Sequence, residues 1–219
     1  MFIDFAIIST DITTKEAKDL LVESTKNKIN SVTVSYDLLK LAKKIIKSSN
    51  IDISCFIDFP LGISDPDTRQ LAVKQAIGAG ATSVDISMPQ NLAANRRYDK
   101  IREDVSTVKN ICLENNVKTR YILEYRSFDH KCLKKICEIF DENNIEFCFP
   151  STSFFLDNLS DNIIASSFLH ENSKEINIIC SGNFWTENHF NIINKSGIYG
   201  FRTSSISVLK NYNKYLLNN

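Results

Sequence analysis

The sequence has no surplus charge of either sign. Lysine plus arginine number 26 and aspartate plus glutamate also number 26, across 219 residues. A formal net charge of zero argues against a partner held by bulk electrostatics, such as nucleic acid or an anionic membrane. No apolar run approaches the length of a membrane-spanning helix, and no basic region precedes an apolar stretch at the N-terminus. The expectation is therefore a cytoplasmic protein. The six cysteines, Cys55, Cys112, Cys132, Cys137, Cys148 and Cys180, form no CxxC pair. Most sit in apolar segments, as buried reduced thiols do. No linker or low-complexity tract interrupts the chain, which reads as one domain over residues 1–219.

What is present is an alternation. Apolar strand-like runs cover Phe2–Ile8, Asn30–Val34, Ile53–Phe59, Ser83–Ser87, Lys118–Glu124, Ile145–Phe149, Ile176–Cys180 and Tyr199–Thr203. Amphipathic or capped helix-like runs separate them. Thr13 and Glu16 have the spacing of a capping box for a helix ending near Ser24. Further helices are expected at Asp37–Lys47, from Pro66 to Gly78 or Gly80, and at Asp99–Asn115, Asp129–Asn143, Ser160–Leu169, Thr186–Lys195 and Ser205–Leu217. A long loop, Met88–Tyr98, follows the fourth strand. Strands separated by helices pair in parallel through right-handed crossovers. Eight such units predict a closed (β/α)8 barrel, with an open doubly wound sheet as the alternative. No glycine-rich dinucleotide fingerprint follows the first strand, which disfavours that alternative.

In such a barrel, ligands bind at the C-terminal ends of the strands. Those ends carry Asp58 on the third strand, Asp85 on the fourth, Glu124 on the fifth and Ser151-Thr152-Ser153 on the sixth. The seventh and eighth give Ser181-Gly182-Asn183 and Arg202-Thr203-Ser204-Ser205. Gly182, Asn183, Thr203, Ser204 and Ser205 suit a phosphate site. Small residues let backbone amides approach an anion, and the last helix begins there. Ordinary turn and cap chemistry explains the same residues equally simply.

Alternation puts Arg120, Ile122 and Glu124 on one face of the fifth strand. Asp58, Asp85 and Glu124 either hold a divalent cation, which prefers oxygen ligands, or pair with Arg120, Arg126 or Arg202. They form no recognised metal motif, and no cofactor is expected. His130, His170 and His189 fall at helix ends, away from the mouth. Phe184 and Trp185 either wall a pocket or pack in the core.

Taken in order, these segments resemble the deoxyribose-phosphate aldolase family. The matching segments are FPLG at 59–62, AIGAGATSVDISMPQNLAANRRYDKIREDV around Asp85, YILE at 121–124, FCFPSTSF at 147–154, CSGNF at 180–184 and RTSS at 202–205. The resemblance runs from about residue 30 to 209 and implies the barrel fold, with Asp85 as the catalytic aspartate. It also implies departures. The family's Schiff-base lysine falls on Phe149, its second lysine on Ile179 and the threonine after the first on Pro150. Asn183 and Arg202 stand where it has glycines. A Schiff-base aldolase needs an amine as electron sink, and no lysine lies at the C-terminal end of any expected strand.

Three functions are compatible with this pattern. A divergent barrel could bind a phosphorylated sugar or similar small anion, with Asp85 and Glu124 catalytic and Asp58, Arg120, Ser151, Thr152 and Arg202 contacting substrate. A pseudoenzyme could bind a metabolite or protein without turnover. A metal-assisted lyase could use Asp58, Asp85 and Glu124. A homo-oligomer is compatible with all three.

Overall fold

A computed structural model describes residues 1–46, 50–155, 158–182 and 185–218. Its elements run β1 (Phe2–Ala6), α1 (Thr14–Ser24), β2 (Ser31–Val34), α2 (Leu39–Ile45), β3 (Asp52–Ile57), α3 (Pro66–Ala79), β4 (Ser83–Ser87), α4 (Gln90–Ala94) and α5 (Tyr98–Glu114). They continue with β5 (Lys118–Ile122), α6 (His130–Glu142), β6 (Phe147–Phe149), α7 (Leu159–Glu171), β7 (Asn177–Ser181), α8 (Glu187–Lys195), β8 (Gly200–Thr203) and α9 (Ile206–Asn218). Each strand pairs in parallel with the next, and β8 pairs with β1 to close the barrel, with Asp4 opposite Arg202. This is the expected (β/α)8 architecture.

Local chemistry sets the helix starts. The Thr13 hydroxyl accepts from the Glu16 amide at 3.3 Å, and the Glu16 carboxylate accepts from the Thr13 amide at 2.9 Å. Asp65 accepts from the Thr68 amide at 3.1 Å ahead of Pro66, and Asp129 accepts from the Cys132 amide at 2.8 Å. These bonds satisfy amides that the first helical turn leaves without partners.

Three details differ from the sequence reading. The loop 88–98 contains the short helix α4. The second helix begins at Leu39, after a 3-10 turn at Tyr36–Leu38, and its expected end at Lys47 lies outside the described residues. The third strand stops at Ile57 because Asp58 adopts a left-handed backbone, φ +52°. That conformation breaks the strand's alternation and turns the next side chain out of its row.

The alternation sorts the strand residues into two packing layers. Phe5, Val32, Cys55, Val84, Tyr121, Cys148, Cys180 and Phe201 join helix residues such as Leu21, Val73, Ile136 and Tyr212 in one large apolar layer outside the barrel. The other set points into the barrel. At the closure seam, a Cβ on Gly200 would lie 2.1 Å from the Phe2 carbonyl oxygen. Only glycine lets β8 come this close to β1.

Candidate functional site

The barrel interior has a charged half. Asp4 of β1, Asp85 of β4, Arg120 of β5 and Arg202 of β8 are each at most 3% exposed. The Arg120 Nε donates to Asp85 at 2.5 Å and its Nη2 donates to Asp4 at 3.1 Å. The Arg202 Nε donates to Asp4 at 2.6 Å, and its Nη2 donates to Asp85. Each carboxylate is thus shared by both guanidiniums, and the four charges cancel.

Thr33 of β2 ties the quartet together. Its hydroxyl donates to Asp4 at 2.9 Å and accepts from Arg120 Nη2 at 2.8 Å and Arg202 Nη2 at 3.0 Å. That uses its one proton and both acceptor positions. Ser54 donates to Asp85 at 2.5 Å, and Ser31 accepts from Arg120 Nη1 at 3.2 Å. Burial alone would raise the Asp4 carboxyl pKa, but Arg202 and Arg120 outweigh it and hold the group well below the usual carboxylate range. Burial likewise disfavours the Arg120 cation, yet Asp85 and Asp4 raise its pKa further above that of free arginine.

The other half of the interior is apolar. Ile122 of β5, Phe147 and Phe149 of β6 and Ile179 of β7 form a cluster, with Phe2, Phe56 and Phe59 packed against it. Phe149 and Ile179 are fully buried. The two halves meet where the Arg202 guanidinium lies over the Phe149 ring, 3.7 Å from its centroid. Arg120 lies 5.3 Å from the same ring. The space between Phe149, Ile179 and Asp85 is therefore taken by arginine.

The expected site residues separate into groups. Asp85, Arg120 and Arg202 meet in the quartet, below the mouth. Glu124, 6% exposed, accepts from the Thr152 hydroxyl at 2.8 Å and amide at 3.3 Å. The buried Ser151 accepts from the Ser153 amide at 3.0 Å through its hydroxyl and from the Ser181 hydroxyl at 3.0 Å through its carbonyl. Asp58 turns away from both groups. It accepts from the Ser64 hydroxyl at 2.8 Å and from Arg69 of α3 at 2.6 Å, while Arg69 also bridges to Asp104 of α5 at 3.1 Å.

Asp58, Asp85 and Glu124 are thus not brought together, because the left-handed backbone at Asp58 sends its carboxylate to the helix layer. Among the described residues, no three potential metal ligands converge. The three-carboxylate metal centre weighed from the sequence does not form.

The segment expected to hold phosphate is only partly free to do so. The Gly182 amide donates to the Arg202 carbonyl at 3.1 Å, extending the β7–β8 ladder. The Thr203 hydroxyl accepts from the Ser205 amide at 3.2 Å. Ser204 and Ser205 are half-buried just ahead of α9, whose first turn has no acidic residue. Asn183 and Phe184 lie outside the described residues. Trp185 is core: it stacks on Phe190 with centroids 5.9 Å apart and donates to the Gly182 carbonyl at 2.8 Å.

The sequence reading missed Asp4 and Thr33. The available signal was a lone carboxylate inside an apolar strand, FIDFA, in the same setting as Asp85 in SVDIS. Lys118, at the opposite end of the barrel, pairs with Asp52 at 2.6 Å.

Comparison with known proteins locates the chain among its relatives. No family profile matches it. Over 153 residues it is 29% identical to deoxyribose-phosphate aldolase 1 of Mesoplasma florum, covering 70% of this chain and 69% of that protein. The deoxyribose-phosphate aldolase of Clostridium tetani is also 29% identical over 153 residues, covering 70% of each chain. Over about 70% of its length the chain is thus similar to deoxyribose-phosphate aldolases. Solved structures agree on the fold. The aldolase QR15 superposes with a TM-score of 0.85 over 99% of this chain and 96% of its own, at 23% identity. A tetrameric deoxyribose phosphate aldolase from Aeropyrum pernix gives 0.85 over 96% and 89%, at 17% identity. Among the described residues, no helix is long and apolar enough to cross a membrane.

Proposed function

We propose that this aldolase-like barrel binds a small phosphorylated metabolite, such as a sugar phosphate, at its C-terminal face and forms no Schiff base with it. The observation that carries the reading is the guanidinium of Arg202 stacked 3.7 Å from the Phe149 ring centroid while paired with Asp4 and Asp85. A Schiff-base aldolase needs an unprotonated amine at the barrel centre. Here Phe149 and Ile179 fill the positions that the resemblance assigns to lysines, and a permanently charged arginine lies against the Phe149 ring.

The residues that could replace that chemistry are already engaged. Both oxygens of Asp85 accept hydrogen bonds from cations or hydroxyls, and Glu124 is bonded to Thr152. A general base needs a lone pair aimed at substrate. This arrangement favours binding without turnover, and so the pseudoenzyme reading over acid/base catalysis by Asp85 and Glu124. For the anion, the first turn of α9, which carries no acidic residue, offers the favourable side of the expected site, since the Gly182 amide is spent on the sheet.

Incubation with deoxyribose 5-phosphate, borohydride reduction and intact-mass measurement should give no adduct. A stoichiometric adduct on one lysine would overturn the reading. The same ligand should raise the melting temperature, and Ser205→Glu, which puts a negative charge at the start of α9, should abolish that rise.

A further inference from the structure

A separate depression lies on the β1–β3 side of the mouth. It encloses about 490 Å³ between the loops after β1, β2 and β3 and the loop after β6. Its chemistry is the reverse of a phosphate site. Tyr36, Leu61, Ile63 and Phe154 line it and remain 53%, 49%, 59% and 43% exposed. Single exposed apolar side chains are ordinary, but four converging on one concavity mark a binding surface.

The rings are arranged as walls. Phe56 and Phe59 stack, with centroids 4.2 Å apart, and Phe154 meets Phe59 edge-on at 5.9 Å and 89°. Two ring planes therefore stand at a right angle, and Tyr36 lines the same space from the loop after β2.

The lining itself carries ionised groups of one sign, while Arg202 lies 5.4 Å from the Phe56 ring centroid. The ionised side chains of the lining are Asp37 and Asp58, with no lysine, arginine or histidine. Asp58 is neutralised by Arg69. Asp37 is exposed and accepts only from the Ser35 hydroxyl at 2.5 Å, with no cationic partner among the described residues. The adjoining depression, which shares Ser9 and Ile12, is lined by Asp11, Glu16, Asp19 and Glu23 and again by no basic residue. An anion here would face the Asp37 carboxylate with no basic side chain in the lining. An ammonium group with apolar substituents would meet the exposed Tyr36 and Phe154 side chains, the unpaired Asp37 carboxylate and apolar walls together.

We propose that this depression is a binding site for a small organic cation bearing apolar groups, such as an alkylated ammonium. The proposal is independent of the phosphate reading, which concerns the strand ends of β7 and β8.

Three probes of similar size test it on the full chain: benzyltrimethylammonium, benzyl alcohol and benzoate. Binding would be followed by calorimetry and by amide chemical shifts of the loops after β1, β2 and β3. The cation is expected to bind with a Kd on the order of 1 mM, roughly fivefold tighter than the neutral probe. Benzoate should not bind. Asp37→Asn should remove most of the cation's advantage and leave the neutral probe unchanged. Phe154→Ala should weaken both. Equal binding of cation and alcohol, preferred binding of benzoate, or no shifts in these loops at millimolar cation would each overturn the proposal. Sedimentation covers the remaining occupant. An oligomer that dissociates in Leu61→Asp would mean a second copy covers this face, which also overturns it.

Discussion

The two halves of the barrel interior hold their strands together by opposite means. On one side, two carboxylates and two guanidiniums from β1, β4, β5 and β8 and the Thr33 hydroxyl of β2 form a hydrogen-bonded set. On the β5, β6 and β7 side, Ile122, Phe147, Phe149 and Ile179 pack without a polar atom. The difference lies in what each half tolerates. Apolar packing loses stability in proportion to the atoms removed. A buried ion-pair set fails more abruptly, because removing one member leaves another charge buried without a partner. The halves also depend on each other, since Phe149 is the surface on which Arg202 lies.

The largest effect is expected in the charged half. Arg120→Met removes one of the two guanidiniums on each carboxylate and should cost about 3–5 kcal/mol in urea unfolding. A loss below about 1 kcal/mol would mean that water or rearrangement replaces the pair and that the halves are not energetically distinct.

Phe149→Lys brings the charged half's chemistry into the apolar half. The new ammonium would face Arg202 at the distance of the present ring stack, and the variant should lose about 2–4 kcal/mol. Adding Arg202→Gly to it should recover less than the repulsion alone predicts, because Asp4 and Asp85 then lose a partner. Full recovery in the double variant would argue that the quartet contributes little.

Acid should affect the charged half selectively. The folded pKa of Asp4 is lowered by Arg202 and Arg120 against the opposing effect of burial. The folded state therefore binds fewer protons than the unfolded state at acid pH, so stability rises with pH there. The contribution of Asp4 should be complete above its unfolded pKa of about 3.9 and fade as pH falls below it. Urea midpoints measured from pH 6 down to pH 3 should fall for the natural protein (about 1 kcal/mol per pH unit per linked proton) and fall less for Asp4→Asn. Parallel profiles would refute this linkage.

The smallest expected effect belongs to the apolar half. Ile179→Val removes one buried methyl group and should cost about 0.5–1.5 kcal/mol, with no change in pH profile. A double-mutant cycle between Phe149→Leu and Arg202→Met isolates the contact that joins the halves. A coupling of about 1–2 kcal/mol is expected for a desolvated cation over a ring.

Much of the fold was legible in the sequence because its signals are local. The Thr13/Glu16 spacing, Asp65 before Pro66 and the strand-like runs act within a few residues, and each element formed near its expected place. The site was less legible because its determinants are not local. Asp4 and Arg202 are 198 positions apart, yet they meet at the closure seam. Each of the four charges sits in a short strand, three of them as that strand's only charge, and only barrel closure brings them together. Asp58 misled for a different reason. The left-handed turn that sends it to Arg69 depends on contacts with the loop before α3, which strand alternation does not encode. The short helix α4 escaped notice because a five-residue helix scarcely displays a period.

The saturated hydroxyl of Thr33 restricts the substitution routes open to this barrel. Because one oxygen serves both guanidiniums and one carboxylate, the quartet cannot be dismantled one member at a time without stranding a charge. Consider the introduction of an amine-bearing centre. Introducing the amine first crowds it against Arg202, and removing Arg202 first leaves Asp4 and Asp85 to share Arg120. Either order passes through a less stable protein. The intermediate sequences are poorer than both ends, so the present arrangement behaves as a ratchet: accessible stepwise only if stability is in reserve, and hard to reverse once reached.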